Sequence, residues 1–250
     1  MTKPKILTIV TQAEHLHLTD GTEHPSGYWA EELAVPVSLL REAGFEIEIA
    51  TIDGRVPTVD ASSMDPGNIK WVVPQGVEVD FDAEVARYRA ILDSIPDLAS
   101  PKDVGAIDAD ALGGYAGVYI AGGHGCMTDM PSSHQMARLL LRALERDLPI
   151  ASVCHGPTAF LAPRDGEGEN PFAGYRFTCF TRAEETMTPI WGRLPMVIER
   201  ELKAQGLLHS HAEAPWGSHV VRDRNLVTGQ NPFSSRALAE AFVELLRERS

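Results

Sequence analysis

The sequence predicts an α/β fold: a layered sandwich with a mostly parallel central sheet and helices on both faces. Three observations carry that prediction. Short, apolar, β-branched runs alternate with segments of helical periodicity over most of the chain. Strand, helix and strand follow one another within about 45 residues at the N-terminus, as a right-handed βαβ unit requires. An apolar run, Ile150 to Val153, ends abruptly on Cys154-His155-Gly156-Pro157 and leads into a second apolar run of helical pattern. That is a strand, a sharp turn and a helix, with a sulfur at the corner.

The elements follow in order. Lys5 to Thr11 is β-branched and mostly apolar, as a buried parallel strand is. The polar stretch from Gln12 to Ser26, with three histidines and Gly21, reads as a loop at the C-terminal end of that strand, where binding residues concentrate. From Tyr28 the pattern turns helical, with Trp29, Leu33, Val37 and Leu40 on one face and Gly44 placed as a C-terminal cap. Phe45 to Thr51 is the second strand. Between Asp53 and about Gly114 the alternation is broken by Pro57, Pro66, Gly67, Pro74, Pro96 and Pro101. This stretch reads as an insertion across the sheet edge of a single domain spanning 1–250. Within it, a helix is expected over Asp82 to Ser94 and a short helical turn over Ile107 to Leu112.

Alternation resumes at Gly117 to Ala121, a strand delivered into Gly122-Gly123-His124-Gly125. A helix with Met136, Leu139, Leu140, Ala143 and Leu144 on its buried face follows, then the strand ending at Cys154, so the two strand ends are expected side by side. Arg164 to Asn170 is a charged loop, Tyr175 to Phe180 a strand, and Arg182 to Met187 a loop or helical turn. A helix over Pro195 to Gln205 and strands at Leu207 to His211, His219 to Arg222 and Leu226 to Thr228 are expected to complete the sheet. The last helix, Ser235 to Arg247, carries Leu238, Phe242, Leu245 and Leu246 on its core face.

Composition narrows the function classes. With 250 residues, 44% hydrophobic and 23% charged, the chain can bury one sizeable core. There are 22 basic and 35 acidic residues, a formal net charge of −13, and no basic stripe that would track phosphates. Nucleic acid and anionic membrane are therefore not expected as partners. No apolar run approaches a membrane span, and Lys3-Pro4-Lys5 precedes a strand rather than a signal peptide, so a cytoplasmic protein is expected. The three cysteines, Cys126, Cys154 and Cys179, are too scattered for a disulfide framework and form no C-x-x-C pair.

An apolar-flanked cysteine in isolation reads as core. Cys154 instead closes a strand directly before His-Gly-Pro, which reads as a nucleophile, and helix N-terminal N–H groups at such an elbow are expected to favour its thiolate. His155 is a cap, or the base and cationic partner of the sulfur if a carboxylate orients its other nitrogen. Glu184 and Glu185 offer that carboxylate, provided the preceding strand runs beside the elbow strand; otherwise they are a solvated acidic turn. Gly122 and Gly123 fit a tight turn, or backbone that forms an oxyanion hole with the His155 amide. Glu32, beside Glu31 on the first helix and one turn before Pro36, is solvated unless that helix aims its N-terminal half at the elbow. In that case Glu32 meets Cys154 and can share a proton with it.

Four motifs stand in a fixed order: E-x-x-x-P (Glu32, Pro36), A-G-G-H-G (Ala121 to Gly125) with Asp129 after it, C-H-G-P (Cys154 to Pro157) and T-G-Q-N-P (Thr228 to Pro232). Together they resemble the ThiJ/PfpI superfamily, which has a class I glutamine amidotransferase-like fold, and within it the heat-shock chaperone and glutathione-independent glyoxalase (glyoxalase III) branch. The resemblance implies a flavodoxin-like three-layer sandwich. It also implies a Cys-His-acid site with Cys154 as nucleophile, His155 as triad histidine, Glu185 as acid (Glu184 the alternative), Glu32 at the sulfur, and Gly123 and His155 as oxyanion donors with Gly122 beside them. Some chaperone-type members hold a metal on two histidines and a carboxylate. Arg41 and Glu46 stand at the positions of its first histidine and its acid, so no metal is expected. His15 with His17 and His209 with His211 are pairs lacking a third ligand.

The activity implied is a cofactor-independent glyoxalase III-type lyase (D-lactate dehydratase type) acting on a small aldehyde such as methylglyoxal. The absence of G-x-G-x-x-G after any expected strand agrees with a reaction that needs no hydride carrier. The alternatives are a stress-response holdase chaperone, a redox-sensing or deglycase-type protein, and a cysteine amidase or peptidase, for which His211-x-Glu213 matches H-x-E as a string. Relatives of this kind imply a homodimer, to which Trp71, Val72 and Val73 could lend an apolar patch.

Overall fold

A computed structural model describes residues 3–70, 78–163 and 169–249. The expected apolar patch at 71–73 and most of the charged loop after the elbow, 164–168, lie outside the described residues. The strands are β1 (Lys5–Ile9), β2 (His15–His17), β3 (Glu23–Pro25), β4 (Glu46–Thr51), β5 (Lys102–Asp103), β6 (Tyr115–Ile120), β7 (Ile150–Val153), β8 (Arg176–Phe177), β9 (Leu208–His209), β10 (Val220–Asp223) and β11 (Leu226–Gly229). The helices are α1 (Ala30–Glu42), α2 (Pro66–Lys70), α3 (Phe81–Asp93), α4 (Ala109–Leu112), α5 (Cys126–Asp129), α6 (His134–Glu145), α7 (Arg182–Glu185), α8 (Ile198–Ala204) and α9 (Ser235–Glu248).

Among the described residues, seven strands form the main sheet in the order β10-β11-β7-β6-β1-β4-β5. All neighbours are parallel except β10 and β11. Without the short edge strands β5 and β10, the remaining five in chain order lie 2-1-3-4-5, the flavodoxin-like winding. Alternation along each strand builds a core on both faces. Leu7, Ile9, Val118 and Ile120 pack with Met136 and Leu140 of α6 and Ile198 and Leu202 of α8. Ile6, Tyr119, Ala151 and Val153 pack with Leu33 and Val37 of α1, Tyr88 and Leu92 of α3, and Phe242 and Leu246 of α9. Residues 53–114 follow the β4 edge: β5 pairs with β4, and α3 packs on α1. Among the described residues no helix is long and apolar enough to cross a membrane.

The structure departs from the sequence reading at three places. The polar loop after β1 contains a hairpin, β2 paired antiparallel with β3. The run after the elbow is a 3-10 helix, Gly156–Leu161, rather than an α-helix. Pro157 has no N–H to donate in its first turn and Pro163 stops it, so short i to i+3 bonds such as Thr158 N–H to His155 O (3.0 Å) suit it. The expected strands at 175–180 and 207–211 shrink to β8 and β9, which pair with each other and stay outside the main sheet. After Phe177 the chain leaves the ladder, because Thr178 N–H donates to the Thr228 hydroxyl and Phe180 N–H to Cys154 O. The neighbour of the elbow strand is therefore β11, and the segment leading to Glu184 and Glu185 lies over the elbow instead.

Candidate active site

The site lies where this winding leaves a crevice, at the C-terminal ends of β6 and β7 beside the β1–β6 reversal of strand order. Cys154 follows β7 directly with φ of 58°, a left-handed conformation that is strained for a residue with a side chain. Its N–H donates to Gly229 O and its carbonyl accepts from Phe180 N–H, both at 2.9 Å, so flanking backbone holds the turn. Gly156 completes it, since a Cβ there would lie 2.8 Å from Ile120 O.

His155 Nδ1 lies 3.2 Å from Cys154 Sγ, and its Nε2 lies 2.8 Å from Glu185 Oε1. Both His155 and Glu185 are buried. Burial opposes ionisation of Glu185, but His155 and His124 outweigh it and hold the carboxyl down at about 2. Burial also pushes His155 down, with His124 adding to the effect.

Glu184 has another task. It closes a capping box with Thr181 at the start of α7, accepting from the Thr181 N–H and hydroxyl at 2.8 Å each. Its Oε1 accepts from Trp216 N–H, Gln230 Nε2 and Asn231 Nδ2 at 2.7–2.9 Å. The T-G-Q-N-P motif thus serves Glu184, and α7 turns the next side chain, Glu185, to His155.

Glu32 is fully buried beside Cys154: a Cβ on Gly122 would meet Glu32 Oε2 at 2.3 Å and Cys154 Cβ at 2.9 Å. Neither Glu32 oxygen meets another described group in ordinary hydrogen-bond geometry, which leaves the thiol as its polar neighbour. The proline of E-x-x-x-P has a structural reason. Pro36 cannot donate to the carbonyl four residues back, that of Glu32, and the buried Tyr119 hydroxyl donates to it instead.

The expected thiolate is corrected by this environment. Burial pushes the Cys154 thiol well up, and the carboxyls of Glu32, Glu184 and Glu185 add to it. A six-residue 3-10 turn does not offset that. Burial likewise keeps the Glu32 carboxyl neutral.

Gly123 has φ of 114°, and a Cβ there would lie 2.4 Å from Gly27 O and 2.7 Å from Trp29 N. Neither the Gly123 nor the His155 N–H bonds to another described residue, and both residues line the cavity that reaches Cys154. That cavity has a volume of about 470 Å³. Phe180, Trp216, Met187 and Ile190 supply apolar wall, while Glu31, Asp60 and Ser62 supply polar wall.

A family model described as "DJ-1/PfpI family" matches residues 25–245. The chain belongs to the DJ-1/PfpI family. A relative called protein/nucleic acid deglycase HchA, from Escherichia coli O157:H7, is 31% identical over 242 residues, covering 95% of this chain and 79% of that protein. Protein/nucleic acid deglycase 1 of Escherichia coli K12 is 32% identical over 246 residues with the same coverage. Among solved structures, glyoxalase III of Candida albicans aligns over 97% of both chains with a TM-score of 0.73 and 23% identity. A 24 kDa rapid encystment protein of Francisella tularensis aligns over 97% of this chain and 99% of its own, with a TM-score of 0.78 and 22% identity. At those identities the two structures attest the fold.

Within this DJ-1/PfpI chain the structure brings Cys154, His155, Glu185, Glu32, Gly122 and Gly123 to one place. It adds His124, which sequence reasoning left unassigned. Its ring stacks on His155 with centroids 4.1 Å apart, and its Nε2 lies 3.4 Å from Glu185 Oε2. The signal was available: β6 and β7 are neighbours, so a histidine four residues after Ile120, the last residue of β6, falls beside the elbow. Donor atoms of His124, His155 and Glu185 lie within 4.8 Å of one another, a spacing a cation could bridge, but each Glu185 oxygen is already on an imidazole. His15 and His17 are exposed on β2. His209 is largely buried against Phe177 instead of lying at the surface. The H-x-E string does not form a site with the thiol: His211 and Glu213 are exposed, and His211 Nδ1 donates to Ala212 O.

Proposed function

We propose that this DJ-1/PfpI protein is a glutathione-independent glyoxalase, converting methylglyoxal or a related 2-oxoaldehyde to a 2-hydroxy acid. The observation that carries the reading is the buried line Glu185–His155–Cys154, which opens on a cavity beside two amide N–H groups without a partner among the described residues. An ionised Glu185 keeps the His155 proton on Nε2 and leaves Nδ1 to accept the thiol proton. The sulfur, neutral at rest, then adds to the aldehyde carbon, C1, as its proton leaves. The oxygen on C1 develops negative charge against the Gly123 and His155 N–H groups and takes up a proton, which gives a hemithioacetal.

His155, relieved of the thiol proton that the C1 oxygen has taken up, removes the C1 hydrogen as a proton; Glu32 is the alternative base only once it has lost its own proton. The C1–C2 enediol forms, and a proton returned to C2 leaves a 2-hydroxy thioester. Water cleaves the thioester and restores the thiol. C1 is oxidised by the amount C2 is reduced, so the step balances within the substrate. A pocket of this volume lies in the roughly 300–1,000 Å³ range that encloses drug-sized ligands, so 2-oxoaldehydes larger than the three-carbon one belong in the trial.

A second reading has support in the names of the 31–32% identical relatives: deglycase action, the same thiol chemistry on a carbonyl already attached to an amine or thiol. The net charge of −13 argues against tight hold on a phosphate backbone, and so against a nucleic acid as the preferred carrier of that carbonyl.

The test is purified protein with methylglyoxal and no glutathione, followed for lactate. No lactate, or lactate undiminished in Cys154→Ala, overturns the proposal. Faster lactate release from methylglyoxal-treated N-acetylarginine than from free methylglyoxal favours the deglycase. Suppression of client aggregation that survives Cys154→Ala, without lactate, favours the holdase.

A further inference from the structure

Glu185 holds two imidazoles, one on each oxygen: His155 Nε2 at 2.8 Å and His124 Nε2 at 3.4 Å. Their rings stack 4.1 Å apart at 36°. His155 commits its second nitrogen to the Cys154 thiol. The Nδ1 of His124 has no hydrogen-bond partner among the described residues. Its ring belongs to the cavity wall, with 15% of the side chain exposed.

The isomerisation moves two protons. One passes from C1 to C2, and a single base serves both carbons. The other belongs to the oxygens: O2 must gain a proton as the enediol forms, and O1 must lose one as the thioester forms. Backbone amides can hold O1, but an amide N–H is far too weak an acid to give its proton to substrate within a turnover. We propose that His124 is the acid–base catalyst of the oxygen pair, giving its Nδ1 proton to O2 as the enediol forms and taking the O1 proton back as the thioester forms. The role rests on the glyoxalase reading above. Each bond balances: the C1–H electron pair becomes the C1–C2 π bond, the C2–O2 π pair takes the His124 proton, and the collapse of O1–H to the thioester carbonyl restores it.

The electrostatics divide the labour as this requires. Desolvation lowers His124, but the hydrogen bond and charge of Glu185 outweigh it and, with Asp60, raise it overall. Burial and the neighbouring His124 lower His155. His24, across the cavity, is lowered by burial and again by His124. Two stacked imidazoles cannot readily both be charged, and a pair pushed apart in this way is an acid and a base.

His124→Gln keeps a polar group near Glu185 and removes the exchangeable proton. We expect its kcat for 2-oxoaldehydes to fall ~100-fold or more, the usual scale of a lost general acid, with KM little changed. Alkylation of Cys154 by iodoacetamide proceeds as in the wild type, because the elbow is intact. The wild-type rate falls at high pH as His124 loses its proton, and this limb disappears in the variant. Imidazole restores turnover to His124→Ala. Wild-type kcat with both pH limbs in His124→Gln overturns the role alone, whereas a wild type that makes no lactate overturns it together with the glyoxalase reading. If the variants do not fold, ¹⁵N-NMR titration of the wild type decides: His124 must titrate above His155, and the reverse order overturns the role.

Discussion

The Glu32 carboxyl and the Cys154 thiol are buried side by side, so close that a single added carbon on Gly122 would lie 2.3 Å from Glu32 Oε2 and 2.9 Å from Cys154 Cβ. Burial pushes both acids up, so the resting pair is uncharged. On the glyoxalase reading, the thiolate is a species made when an aldehyde arrives and His155 takes the proton. The resting enzyme should be alkylated slowly by iodoacetamide at pH 7, with a midpoint above the ordinary thiol value of about 8.5. At the alkaline pH where the thiol titrates, charge on Glu32 opposes loss of its proton, so Glu32→Gln should move that midpoint down. A wild-type midpoint near or below 7 would show that a resting thiolate exists after all.

Glu185 ties stability to pH. Its carboxyl is held at about 2, below the ordinary 4.5. A depressed carboxyl stabilises the fold fully above its unfolded value and loses that contribution as pH falls through the folded one, here between about 4.5 and about 2. At ~1.4 kcal/mol per unit, the contribution of this group alone is about 3 kcal/mol. Denaturant unfolding measured from pH 6 to pH 3 should show wild-type stability falling more steeply than that of Glu185→Gln. Parallel curves would mean that the His155 and His124 contacts do not hold the carboxylate.

The legible parts of this molecule were those written locally. The Cys-His corner follows from a strand that stops at Gly156-Pro157, and Glu32 was marked by a proline one turn on. Why that proline is there was not legible, because Tyr119, which satisfies the carbonyl it frees, lies 87 residues away in sequence. The thiolate expectation failed for the same reason: a turn's dipole can be read from neighbours in sequence, whereas the burial of Cys154 and the carboxyls near it, Glu32 on α1 and Glu184 and Glu185 on α7, come from segments distant in sequence. Tyr175 to Phe180 has the aromatic and β-branched composition of a strand, yet its Thr178 and Phe180 amides donate to the Thr228 hydroxyl and the Cys154 carbonyl instead of to a neighbouring strand's ladder. The choice between Glu184 and Glu185 had a local signal, since Thr181-x-x-Glu184 is a capping box and directs the first of the two carboxylates back along its own helix.

That division of tasks separates the two acids experimentally. Glu184 accepts five hydrogen bonds, from Thr181, Trp216, Gln230 and Asn231, and none of them involves the thiol or His155. A glutamine there turns an acceptor-only group into one that presents an N–H to other N–H groups. Leaving such a buried network short costs roughly 2 kcal/mol or more. Glu184→Gln should therefore lower Tm by ~4–8 °C, at ~2–4 °C per kcal/mol for a chain of this size. Glu185→Gln also gives up at neutral pH the stability its depressed carboxyl supplies, but of the two variants it alone should lower the kcat of the folded protein. A Glu184→Gln protein with unchanged Tm would remove the anchoring role assigned to the T-G-Q-N-P motif.

Gly123 offers the sharpest test of the backbone donors. Its φ of 114° disfavours any side chain, and a Cβ would lie 2.4 Å from Gly27 O and 2.7 Å from Trp29 N, both backbone atoms that cannot swing aside. Gly123→Ala must shift either the segment leading into α1 or the 123 amide itself, at a cost of ~1–3 kcal/mol. Gly21 is the control, with φ of 82° and nothing within 4 Å of an added Cβ, so Gly21→Ala carries backbone strain without a clash. If the Gly123 N–H holds the hemithioacetal oxygen, Gly123→Ala should lose kcat well beyond Gly21→Ala while Cys154 is still alkylated at the wild-type rate. Equal activity and equal Tm in the two variants would mean that the oxyanion is held elsewhere.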